Sequence, residues 1–595
     1  LPRLPDGMTS PLTAAESAEP TVPVAEAPSE AHPVRRRVLL ALTFVALLLL
    51  MLRPSWHTLT TKVPDLGDPV LYGWGWNWTR HALFSSPAHL FDGNIFWRHD
   101  LTIAYTDNML VLLAPFSILR GIGASWALQL NALAFGMLFV SLAATYSLAR
   151  RITGRLDASL FAAVAYTFGS FTFMHQGHLQ LLLLGQFPLG FLLAFRWLER
   201  RRATDAIWFG LVNASFFLGA LYYSAVWMVC VAVVLVGFLI TQRGKPGPKF
   251  WSGLVLVAVF SATAIPFVIP YLDLGQERPL VPEWGLQPRD IAIVPVGSIL
   301  YPGIDSWANR SVDRGEHSFF PGFSTDVVGL IGLGALILAT ANRRSRLREI
   351  VTPSRRRELW LLLFAGAAAV VLSLGPEVHG HRMPFAWFHD NVPGFAGIRV
   401  SARLAVPGLL ALAVLAAFGI TVVVRQLRGR TGTVIAIALT GFLLLELAAP
   451  LHRVTLSDDA ATLATYRALE GRPSGAVAEL PIQDPIDGAA WARVEAPRML
   501  YSTLDLHPRI NGYSGSWPTD YPRRREIFNT FPEAAAVTAA HRLGVRYLIL
   551  HVGPYAGYAQ YTPAEARAIV ARLPAGAHAR HLGNAWLVDL GPTPR

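Results

Sequence analysis

Residues 63–108 read VPDLGDPVLYGWGWNWTRHALFSSPAHLFDGNIFWRHDLTIAYTDN, which sets Asp65, Asp68, Asp92, Asp100 and Asp107 among Trp74, Trp76, Trp78 and Trp97. A carboxylate can take the proton of an attacking hydroxyl, and dense aromatic rings suit a bilayer interface, where one edge is wet and one face apolar. Far along the chain, PGFAGIRVSAR carries Arg399 and Arg403 on another polar segment. A base facing a guanidinium clamp is what chemistry on a phosphate-linked substrate requires. The competing readings are structural: Asp68 before Pro69 capping a turn, the acids solvated on an ordinary loop, and the arginines anchored at lipid headgroups. His175 and His178 lack the convergent acids of a firm metal site, so they read as hydrogen-bonded groups beside the site. Asp107, next to Asn108, suits a sugar hydroxyl, a divalent metal or the start of a helix. The candidate set is therefore Asp68 as base and Asp107, His175, His178, Arg399 and Arg403 as substrate-binding residues. No metal or other cofactor site is assigned, and a divalent ion is left open.

These groups must be held by something largely apolar. The chain has 595 residues, of which 53% are hydrophobic and 15% charged, a composition that predicts a polytopic α-helical membrane protein. A formal charge of +12 would suggest nucleic acid in a soluble protein. Here arginines cluster in short runs between apolar stretches, as in cytoplasmic loops, and nucleic acid is not expected as a partner. The single cysteine, Cys230, lies in an apolar run and reads as a packed thiol. Residues 1–36 are expected to form a disordered cytoplasmic tail, because a Pro, Ala, Glu and Ser composition buries too little to offset ordering entropy. Eleven spans are predicted within 37–450, with a large first external loop at 54–125. The run 109–119 is excluded from the count, since it covers only about 16 Å as a helix and contains Pro115. Placing it in the outer interface puts every Arg-rich loop on one side, with the N-terminus inside. The break in the long apolar stretch near 206–240 is expected at Tyr222 and Tyr223.

From residue 451 the pattern changes to that of a soluble α/β domain, 451–595. Strands are predicted at 475–482, 545–550 and 584–590, a helix at 532–543, and a capped helix start at Thr562-Pro563-Ala564-Glu565. No Gly-rich nucleotide motif is present.

Gly67-Asp68-Pro69, the span end Leu148-Ala149-Arg150-Arg151-Ile152-Thr153-Gly154, Gly177-His178-Leu179-Gln180 and the 393–403 segment resemble the bacterial GT-C glycosyltransferase superfamily. Together with Asn511-Gly512-Tyr513-Ser514-Gly515 and Gly544-Val545-Arg546-Tyr547 they resemble its YfhO-like branch. The resemblance implies a polyprenyl-phosphate sugar donor and an acidic base on the first external loop, the position Asp68 matches. It also implies an envelope glycan, lipid or protein as acceptor, and a bacterial plasma-membrane location. A phosphate leaving group needs no protonated second carboxyl, so the arginines would carry the departing charge. The alternative is a lipid-linked saccharide transporter or a non-catalytic glycan-binding or assembly protein. A transporter should carry ionisable groups at mid-membrane, and Glu446 is the clearest here.

Overall fold

The computed structural model describes residues 33–52, 57–241, 250–275, 282–311, 314–427 and 430–592. Most of the predicted tail, and the basic positions Arg243, Lys245, Lys249 and Arg428, lie outside them. The described residues up to Thr43 belong to one compact unit and those from Phe44 on to a second. The first helix is Pro33–Met51, so Arg35, Arg36 and Arg37 belong to its opening turns. The expected tail boundary after residue 36 falls inside this helix, because proline is well suited to a first turn.

Among the described residues seven helices are long and apolar enough to cross a membrane: Trp126–Thr153, Leu156–Met174, Leu179–Arg200, Leu221–Thr241, Trp251–Leu274, Phe323–Ala341 and Ser401–Gln426. The other four predicted spans fall on Pro33–Met51, Ala203–Phe217, Pro353–Ser373 and Thr431–Leu447, which are shorter or begin with charge. Residues 110–121 form a short apolar helix. The break expected at Tyr222 falls earlier, between Phe217 and Leu221. There the Asp107 carboxylate accepts the Leu221 N–H at 2.7 Å and caps the new helix, which a reading of local sequence could not anticipate.

The helix Val406–Gln426 is buried along most of its length. A Cβ on Gly419 would stand 2.1 Å from the Val328 carbonyl oxygen, so glycine is what lets this helix meet Phe323–Ala341 backbone to backbone. Next to it, the span 156–174 breaks at Phe168 and Gly169. The backbone groups of that break are satisfied by the 314–322 segment: Ser170 N–H donates to the Phe320 carbonyl at 2.9 Å, and Phe320 N–H to Ser170 Oγ at 2.8 Å. Irregular backbone at such depth persists where protein covers it. The break brings His175 and His178 to the same end of the helices as residues 63–108.

Residues 451–592 carry a four-stranded sheet in which Ala476–Leu480 runs parallel to Val545–His551, followed by antiparallel Ala585–Asp589 and His578–Leu582. Residues 508–511 bridge to Val477 on the outer side of the first strand. Residues 94–97 then hydrogen-bond to 509–511, with Trp97 N–H to the Arg509 carbonyl at 2.8 Å and Arg509 N–H to the Asn94 carbonyl at 2.7 Å. The first loop is thus added to the edge of the C-terminal sheet. Its tryptophans follow from this. Trp74 and Trp76 are fully buried inside the protein, and their indole N–H groups donate to Asn94 Oδ1 at 2.8 Å and to the Met109 carbonyl at 2.9 Å. Trp97 donates to the Leu543 carbonyl at 2.8 Å. The expectation that this aromatic density belongs at a lipid interface is corrected: Trp74 and Trp76 are core, and the half-buried Trp97 ties the loop to the C-terminal segment.

Candidate active site

Asp68 opens the helix Asp68–Ser85, with Pro69 in its first turn, where the φ of proline and a negative charge near the helix N-terminus both fit. The N-cap position is Gly67, and the partners of the Asp68 side chain are His178 and Tyr513. The turn is held by Asp65 instead, which accepts Gly67 N–H at 2.7 Å and pairs with Arg493 at 3.0 Å. Asp68 points away into a polar cluster. His178 Nδ1 lies 2.8 Å from Oδ2, and the Tyr513 hydroxyl donates to Oδ1 at 2.6 Å. Burial raises the Asp68 pKa, but the hydrogen bond and charge of His178, then Tyr513 and Arg403, outweigh it and hold the carboxyl below its ordinary value. Asp68 is therefore an ionised carboxylate at neutral pH. The same proximity and desolvation drive the Tyr513 phenol well above its usual range, so it stays a donor.

His178 is the most open member, with 37% of its side chain exposed against 17% for Asp68. Its Nε2 lies 3.8 Å from Glu316 Oε1. Glu316 joins the arginine side of the cluster: Arg403 Nε donates to Oε2 at 2.9 Å and Arg403 Nη2 to Oε1, a bidentate pair. His175 Nε2 stands 3.3 Å from the same carboxylate, while its Nδ1 lies 2.8 Å from the Phe171 carbonyl. Burial pushes Glu316 up, but Arg403 and His175 overcome this and hold it well below the ordinary range. His175 is completely buried and stacked on Phe171 at 4.0 Å; it supports Glu316 and does not face open space. Arg403 is likewise buried, over the Tyr222 ring at 5.3 Å.

Arg399 is different. It is exposed, its guanidinium lies over Trp284 at 4.8 Å, and it forms no ion pair among the described residues. Its charge reaches Tyr513, and its backbone N–H donates to the Tyr222 hydroxyl at 3.1 Å. Asp107 is close enough to Asp68 and Arg403 to feel both; burial is the largest influence and raises its pKa to about 6. Tyr72, one turn after Asp68, senses both carboxylates.

The structure thus brings Asp68, Asp107, His178, Arg399, Arg403 and His175 to one place, with Asp107 occupied in capping and His175 in support. Sequence reasoning missed Glu316 and Tyr222, and quoted Tyr513 within a motif without a role. Glu316 had a signal, the charged run Arg314-Gly315-Glu316-His317 before two phenylalanines. Among the described residues no group of three or more His, Cys, Asp or Glu side chains converges as metal ligands. Chemically, the cluster offers an ionised carboxylate with two fixed donors, a partly open imidazole nitrogen, and an exposed cation beside them.

No protein-family model and no curated protein matches the chain. Solved structures do. The arabinofuranosyltransferase AftD from mycobacteria matches at a TM-score of 0.57 and 13% identity, over 94% of this chain and 40% of AftD. The chain therefore spans about two-fifths of that enzyme. The oligosaccharyltransferase of Archaeoglobus fulgidus gives 0.46 at 12% identity, over 87% and 69%. ArnT from Cupriavidus metallidurans gives 0.39 at 13% identity, over 94% and 100%. The likeness to AftD is one of fold alone: the chain folds as part of that enzyme does, with several helices long and apolar enough to cross a membrane.

Proposed function

We propose that this protein is a membrane glycosyltransferase that moves a sugar from a polyprenyl-phosphate donor to an extracytoplasmic envelope acceptor, with Asp68 as general base. The observation that carries the reading is an ionised Asp68 fixed by His178 and Tyr513, with the exposed Arg399 near enough for its charge to reach Tyr513. The acceptor hydroxyl gives its proton to the carboxylate as its oxygen bonds to the anomeric carbon, and the bond from that carbon to the donor phosphate breaks. Arg399 meets the departing phosphate. Arg403, already bound to Glu316, positions the site and supplies field. Asp107 and His178 border the sugar and acceptor. The motifs at 511–515 and 544–547 support the YfhO-like branch, with residues 451–595 as an α/β domain.

The reading sets eleven spans in a bacterial plasma membrane, with the N-terminus cytoplasmic and the site outside. Three Arg-bearing connections support this orientation, for Arg151, Glu199, Arg355 and Glu358 join in one ion-pair network. That network lies at the helix ends remote from Asp68. The test is incubation of the purified full chain with labelled polyprenyl-phosphate sugars and envelope extracts. Transfer of label from at least one such donor is expected; no transfer from any of them, with binding intact, contradicts the reading.

One observation favours a second assignment of the proton. Both Asp68 oxygens already accept hydrogen bonds, and His178 Nε2 is the more open base, so Asp68 could orient His178 as the proton acceptor. His178→Asn decides: asparagine keeps a donor to Asp68 and removes Nε2. Activity within about tenfold of wild type keeps Asp68 as base, whereas a loss as deep as that of Asp68→Asn transfers the role to His178.

A further inference from the structure

At the far end of the helix Leu221–Thr241 from the site, its last turns, Thr340 and the opening turns of Pro353–Ser373 enclose a groove of about 880 Å³. Sixteen residues of helix separate Leu221 from Gly237, about 25 Å, so this is a different place from the Asp68 cluster. The walls are apolar, with Val233, Val236, Ile240, Leu361 and Phe364 among them. Val236 and Phe364 are 55% and 57% exposed on the open side, so the groove opens laterally where acyl chains would lie. A smaller cleft of about 260 Å³ adjoins it, sharing Arg357 and Leu361 and lined also by Glu199, Ser354 and Glu358.

The mouth of the groove is charged and unsatisfied. Arg356 lines it and is only 9% exposed. Its Nη1, and Nε of the neighbouring Arg357, are buried without a hydrogen-bond partner among the described residues. The nearby carboxylates are already taken: Glu358 by Arg151 and Arg355, and Glu199 by the same two arginines. Arg357 is further fixed by Phe238, whose ring lies 4.7 Å from its guanidinium. Arg356 and Arg357 sit in the first two turns of a 21-residue helix, whose N-terminal dipole adds to the positive field. Buried guanidinium N–H groups without an acceptor are costly, and an anion completes them.

We propose that this groove is a binding site for one anionic glycerophospholipid, its phosphodiester on Arg356 and Arg357 and an acyl chain along Val233, Val236, Ile240 and Phe364. An apolar slot that ends in surplus cations at a helix end matches such a lipid and neither an uncharged lipid nor a free anion. The site does not depend on the transferase reading.

Native mass spectrometry of the full chain in detergent, titrated with palmitoyl-oleoyl phosphatidylglycerol or the matching phosphatidylcholine, tests it. One phosphatidylglycerol is expected to be retained in preference to phosphatidylcholine. The double variant Arg356→Gln, Arg357→Gln should weaken that retention about tenfold. Val236→Trp, which fills the slot and leaves both arginines in place, should weaken it comparably and remains informative if the double variant fails to fold. Millimolar inorganic phosphate should not displace the lipid. Equal retention of the two lipids, undiminished retention in either folded variant, or displacement by phosphate overturns the proposal.

Discussion

At the scale of single residues, the cluster is defined by which acid is free to act. Asp65 and Asp107 are spent on backbone geometry, one on Gly67 and one on Leu221, which leaves Asp68 as the first-loop carboxylate aimed into the cluster. Tyr513 contributes a donor to it, so Tyr513→Phe should raise the Asp68 pKa and move the acid limb of a pH–rate profile to higher pH, with a rate loss of about tenfold or less. Asp107 gives a stability prediction. Its folded pKa is raised to about 6, above the unfolded value, so folding takes up a proton between about 4 and 6. Stability contributed there is present below that window and lost as pH rises through it. Asp107→Asn keeps the acceptor for Leu221 and removes the titration, so its thermal midpoint should gain on wild type as pH goes from 4 to 7; a constant difference would contradict the burial of this acid. The residue types were legible in the sequence because carboxylates and arginines beside apolar spans are few. Their partners were not: Tyr513 is 445 residues from Asp68 and Glu316 is 87 from Arg403, and no local pattern encodes such pairings.

At the scale of elements, the Asn511-Gly512-Tyr513 turn links the C-terminal sheet to the base. Asn511 uses its side chain as a strand would, with Oδ1 accepting Glu479 N–H and Nδ2 donating to the Glu479 carbonyl, both at 2.8 Å. A Cβ at Gly512 would lie 2.7 Å from the Phe96 ring. Gly512→Ala should therefore push Phe96 and Tyr513 apart, costing about 1–3 kcal/mol in stability together with transfer activity; thermal unfolding and a transfer assay check the pair. Element positions were well foretold where local chemistry decides them. The Thr562 capping box forms with Glu565, the helix before Gly544 ends in its left-handed cap, and the three predicted strands are present. The strand His578–Leu582 escaped notice because three of its five residues are His or Arg and it lies at a sheet edge, where burial gives no apolar pattern. The tryptophans misled for a related reason: composition reports that rings will leave water, and only tertiary structure decides between lipid and protein.

At the scale of the whole molecule, residues 63–108 and the C-terminal sheet form one body, since Lys62 and Val63 pair with Thr455 and Val454 as well. Both must then lie on the same side of the membrane. His89→Cys and Glu470→Cys should label equally with an impermeant thiol reagent in intact cells, over a silent background because the native Cys230 is buried; labelling of only one would break this architecture. Everything then converges on Asp68. The most direct measurement is single-turnover transfer by Asp68→Asn with a labelled polyprenyl-phosphate sugar, alongside donor binding and thermal unfolding of the same sample. The expected result is a rate loss of about 10²- to 10⁴-fold with donor binding and folding retained; near-normal turnover by a folded Asp68→Asn protein would contradict the account.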